Sequence, residues 1–145
     1  MEFRIGRHEV SQVDDVLIMR VRGEFSLEDA KDYVCVREAV RSQQKYLLLL
    51  IDVREATSMP PEARRYIAGA GSATDPHNGA LALYGARPLI RGLLQLLFSA
   101  VTLLGKRPVF ASFVSDEAAA YQFLSEQRQR ILQRLPHNLR DQPAS

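Results

Sequence analysis

The chain has one cysteine, three histidines and no tryptophan among its 145 residues. Cys35 therefore has no partner for an internal disulfide, and a reducing compartment is the expectation. His8, His77 and His137 lie far apart, and none has a second histidine or a cysteine at metal-ligand spacing. That argues against a metal site. An excess of one charge is also lacking. The formal net charge is +2 and the basic residues, mostly arginine, are dispersed outside the tail, without the concentrated basic face that nucleic acid requires. The longest apolar tract, LLQLLFSAVTLLG from Leu93, is too short for a membrane span of ~20 residues. The opening MEFRIGRHEV has no apolar core of the secretory kind. Together these absences predict a cytoplasmic protein with no cofactor, no nucleic-acid partner and no transmembrane segment.

Hydrophobic residues make up 46% of the chain, ample to fill one core in one domain. The alternation of residues 3–13 reads as a strand, with Asp14 and Asp15 turning it into a second strand over 16–25. Ser26, followed three residues later by Asp29, predicts a capping box for a helix over 27–43. Residues 46–53 are apolar without alternation, as in a strand buried on both faces. Pro60 and Pro61 suit the opening of a second helix, which Gly69, Gly71 and the loop SATDPHNG close. A short apolar strand at 80–85 follows, then a helix over 88–105, a strand over 108–114, and a last helix. Ser115 is expected to cap that helix, with Asp116 and Glu117 in its first turn and Pro136 stopping it. The fold class is therefore α/β. It is a single mixed sheet of about five strands, an N-terminal β-hairpin followed by β-α-β crossovers, with about four helices. Residues 1–135 form one domain and 136–145 a frayed tail.

In that order, the strings GEFSLEDAKDY, YLLLLIDVREATSMPPEARRYI, ALALYGARPLIRGL and RPVFASFVSDEAAAYQFL resemble the SpoIIAA-like branch of the STAS domains. This is the fold of anti-sigma-factor antagonists, also likened to the lipid-binding CRAL-TRIO domains. The resemblance runs from residue 10 to about 127, and Asp52, PEARR and SDEAAAYQFL carry it. It implies a small bacterial interaction module that binds a protein partner without catalysis. In the signalling antagonists, a serine or threonine after the third strand is phosphorylated by a partner kinase, within an Asp-Ser-Gly pattern that opens the second helix. Here ATSMPPEARR has prolines at that place, and the nearby hydroxyls are Thr57 and Ser58. These two are the candidate phosphoacceptors.

The surrounding stretch, with Asp52, Arg54, Glu62, Arg64 and Arg65, is the candidate interaction loop. A phosphate there would meet the free N–H groups of a helix start, with arginines close in sequence. Asp52 ends a parallel strand, where open α/β sheets hold ligands, although a carboxylate there also serves to fix the adjoining loop. The glycine-rich stretch 69–79 lacks the ending of a phosphate loop and precedes a strand, so it reads as a connection. No residues assemble into a catalytic constellation, and a non-enzyme is expected. The third helix has only a narrow polar stripe of Arg91, Gln95, Ser99, Thr102 and Lys106. Its surplus apolar surface, including Leu93, Leu94, Leu97, Phe98 and Val101, has three destinations: burial between neighbours, a homodimer interface, or the wall of a pocket for a lipid or small apolar ligand.

Overall fold

The alternating stretch 3–13 does not run as one strand. Gly6 takes φ +55°, a conformation that other residues adopt rarely, and the chain turns there. A Cβ at Gly6 would fall 2.4 Å from Asp29 Oδ1, so the position has no room for a side chain either. The result is two strands, β1 (Glu2–Ile5) and β2 (His8–Val13), paired antiparallel. The computed structural model describes residues 2–70, 79–105 and 111–134. The connection at 71–78 with His77, the residues 106–110, and the tail with His137 lie outside the described residues.

Asp14, at φ +54°, turns β2 into the antiparallel β3 (Val16–Glu24). Then come α1 (Leu27–Gln44), β4 (Leu47–Ser58), α2 (Pro61–Ala70), β5 (Gly79–Tyr84), α3 (Pro88–Gly105), β6 (Ala111–Val114) and α4 (Glu117–Arg134). The sheet therefore has six strands, one more than expected, in the order β1-β2-β3-β4-β5-β6. From β3 onward the pairings are parallel. Each crossover steps in the same direction, so helices connected with one hand gather on one face. Residues of α1, α2 and α3 accordingly share a core with Leu47, Leu49 and Ile51. α4 comes after the last strand and packs on the opposite face, against Leu48, Leu50, Ala80 and Ala82. This is why the run at 47–51 shows no alternation: both sides of β4 are buried.

Local chemistry fixes the ends of the elements. Ser26 and Asp29 form the capping box: Asp29 N–H donates to Ser26 Oγ at 3.2 Å, and Ser26 N–H donates to Asp29 Oδ2 at 3.0 Å. His8, buried beneath them, accepts the Arg22 N–H on Nδ1, which leaves Nε2 to donate to Asp29 at 2.9 Å. At the other end of the sheet, Asp15 accepts two bonds of 2.6 Å from Arg128 and one of 2.9 Å from the Tyr46 hydroxyl. That cluster ties the β2–β3 turn to α4. The N-cap of α4 is Asp116 and not Ser115, because Asp116 Oδ1 accepts the Ala119 N–H at 2.8 Å. No helix among the described residues is long and apolar enough to cross a membrane.

Candidate functional site

Asp52 does not end its strand as expected: it lies within β4, which runs on to Ser58, beside Tyr84, the last residue of β5, on the face that carries α4. Residues two apart on a strand share a face, and Arg54 folds back over Asp52 from there. Its Nε donates to Oδ1 at 3.0 Å and its second guanidinium nitrogen to Oδ2 at 2.8 Å, while the Arg54 backbone N–H donates to Oδ1 at 3.0 Å. The guanidinium also sits 5.4 Å from the ring centre of Tyr84, the residue registered beside Asp52 on β5. Gly85 makes room for this clamp. It adopts φ +78°, and a Cβ there would fall 2.0 Å from Arg54 Cγ. Burial and the neighbouring Asp52 raise the Tyr84 phenol above its ordinary value. With both oxygens engaged, Asp52 is a charged, positioned anchor.

The stretch expected as a loop over 54–58 is strand. β4 continues through it: its register against β3 shifts between Arg20 and Arg22 and again between Gly23 and Glu24, and pairing is kept at Glu55, Ala56 and Ser58. The bulge changes the facing of the residues beyond it. Ala56 and Ser58 line the side under α3, away from Asp52 and Arg54. Ser58 is anchored through its backbone, whose carbonyl accepts the Phe25 N–H at 2.9 Å, and the side chains of Thr57 and Ser58 are exposed. Glu62 is exposed in the first turn of α2, while Arg64 and Arg65 line a groove toward α3. Neighbours in sequence are thus spread over three surfaces.

Beneath α3 is an apolar cavity of about 90 Å³. One water needs only ~10–15 Å³ on such a scale. Leu93, Leu94, Leu97, Phe98 and Val101 all line it, with Met19 and Leu83 from the sheet below. Leu97 and Val101 are buried and the other three half-buried. These five turn toward the cavity, and the outward leucines of α3 are Leu89, Leu96, Leu103 and Leu104. Ser58 and Met59 belong to the same cavity lining. Arg37, which sequence reasoning passed over, lines it from α1 although only 1% exposed. It donates to the Ala70 carbonyl at 3.2 Å and to Glu38 at 3.2 Å, and lies 5.5 Å from the Tyr33 ring centre. The signal for it in the sequence was its place among the apolar positions of α1, in line with Tyr33 and Val40.

Residues 11–128 match the family model described as a domain of unknown function, DUF7793. The chain belongs to this family. Among solved structures it is similar to an uncharacterized protein of the DUF3478 family with a SpoIIAA-like fold, from Shewanella loihica PV-4. That likeness has 17% identity and a TM-score of 0.55, and covers 81% of this chain and 91% of the other. It is also similar to the anti-sigma factor antagonist SpoIIAA in its unphosphorylated form, at 13% identity and a TM-score of 0.50, covering 80% of this chain and 96% of that one. No curated protein matches the chain. The fold is thus SpoIIAA-like, as the order of elements and the motifs around Asp52 imply. At these identities the likeness establishes the fold alone.

Proposed function

We propose that this member of DUF7793 is a non-catalytic, cytoplasmic regulatory module that acts by binding another protein. The working surface is the end of β4 and the start of α2. One observation carries the reading: Thr57 and Ser58 are exposed at the end of a strand that is paired to β3 and separated by two residues from the start of α2. A phosphate added there would adjoin the positive end of α2 and change the charge of the surface without unfolding it. The engagement of both Asp52 oxygens by Arg54 supports a structural carboxylate over a catalytic one. Incubation with host lysate and ATP, followed by intact-mass measurement and peptide mapping, tests the switch. The expected outcome is a single phosphate on Ser58 or Thr57. Modification that maps elsewhere, or none in several growth states, leaves these hydroxyls a structural role only.

The cavity favours a second reading, a binder or carrier of a small apolar ligand or lipid. Its lining is almost wholly apolar, and such a space stays dry or takes an apolar guest. The two readings meet at Ser58, which belongs to both the exposed hydroxyl pair and the cavity lining.

A further inference from the structure

A second concavity, of about 240 Å³, lies between α2 and α3. Ala68, Leu97 and Ala100 line it together with Leu96 and Leu104, and Arg64 and Arg65 stand on its α2 side. Leu96 and Leu104 are 62% and 66% exposed, and Leu89 and Leu103 extend the apolar surface at 73% and 80%. Leu89, Leu96 and Leu103 recur every seven residues, which places them in one stripe along the helix. Contiguous exposed apolar surface of this kind marks an interaction site.

The charges say what it takes. Both ionisable residues of the groove are arginines, and α3 has no acidic residue along its length. Arg64 Nε is buried without a hydrogen-bond partner, and Arg65 Nε reaches only the Pro61 carbonyl of its own helix, at 3.4 Å. A buried donor without an acceptor is uncommon in a settled surface. A second copy of this groove, with no acidic residue in its lining or on α3, would offer these arginines no charge partner. A planar lipid surface does not fill a concavity, whereas side chains of a docked helix do.

We infer that this groove docks a short amphipathic helix of a partner protein, presenting two apolar side chains one turn apart with acidic residues beside them. From Leu96 to Leu104 the groove wall spans ~12 Å, about two helical turns. The inference rests on the reading of the domain as a protein-binding module and specifies the chemistry of its partner. The test uses the full chain, labelled for amide NMR, and a synthetic amphipathic helix with leucines at i and i+4 flanked by glutamates. The control peptide has lysine in place of each glutamate. The acidic peptide is expected to shift the amides of α2 and of Leu96–Leu104, and to bind at least tenfold more tightly than the control. Leu104→Glu, at an exposed position, should weaken binding tenfold or more, and Arg64→Glu with Arg65→Glu should reverse the preference toward the lysine peptide. Equal affinity for both peptides, shifts confined to other surfaces, or no saturable shift would overturn the inference. So would co-sedimentation with phosphatidylglycerol-containing vesicles abolished by Leu104→Glu, or a concentration-dependent dimer that shifts the same amides. A partner cross-linked in the host to Thr57 while the groove stays silent would remove the groove and leave the module reading intact.

Discussion

Burial alone would raise the Asp52 carboxyl, yet hydrogen bonds from Arg54, and from Tyr84 beside it, favour the charged form and hold it below the ordinary carboxylate range. Asp15 behaves alike: burial raises it, and the bonds from Arg128 and Tyr46 outweigh that. A carboxyl whose folded pKa is depressed contributes stability above its unfolded value, ~3.9 for Asp, and loses that contribution as the pH falls through the folded value. The melting temperature is therefore expected to hold from neutral pH to about 5 and to fall steeply below about 4. In Asp15→Asn the fall should be shallower. A melting temperature that climbs on acidification would contradict this. For Asp52 itself, Ala removes every bond to Arg54, while Asn keeps one acceptor oxygen. Bonds to a charged group are stronger than neutral ones, but the solvent around Arg54 screens this pair and keeps the loss modest. Both variants should melt lower than the parent, Ala more than Asn. If Asp52→Ala melts higher, the carboxylate is held at a cost to stability, as at a functional site, and the structural assignment fails. The sequence pointed to backbone partners for Asp52 and missed the side chain of Arg54. Spacing of two on a strand was the available sign, obscured because 54–58 read as loop.

At the scale of elements, the two N-caps show what local patterns can and cannot resolve. Ser26 with Asp29 was legible, since both halves of the box are present and a single hydroxyl precedes the helix. At α4, Ser115 and Asp116 are both good caps, and only the observed bond from Ala119 N–H to Asp116 decides between them. Asp116→Ala should cost about 1 kcal/mol of stability, whereas Ser115→Ala should change little. Equal losses in chemical denaturation would put the cap back at Ser115. For α3 the span 88–105 was legible from Pro88 and Gly105, but the facing of its leucines was not. Leu96 and Leu97 are chemically identical in sequence, and only packing separates them, one exposed and one buried. A glutamate at Leu97 would therefore disrupt the core and say nothing about a dimer. Gly6 misled in the opposite sense. Alternation passes smoothly through it, and the turn appears only once its positive φ and the closeness of Asp29 are seen.

The described residues form one six-stranded sheet with three helices on one face and one on the other. That division sets where function can lie. The Asp52–Arg54 clamp belongs to the face of α4, while the cavity, Ser58 and the groove belong to the face of the other three. The order of elements and the doubly buried β4 made the α/β architecture readable from sequence. The separation of the candidate residues onto different surfaces was not, because it depends on register shifts at two places in the β3–β4 pairing. Two readings then compete for the α1–α3 face, a protein-binding surface and a container for an apolar molecule. Native mass spectrometry of the chain purified from its own host distinguishes them most directly. A protein-binding module should appear bare of small molecules and in part bound to a second protein. A stoichiometric apolar ligand on most of the chains, with no protein attached, would contradict the module and identify the cavity beneath α3 as the working site.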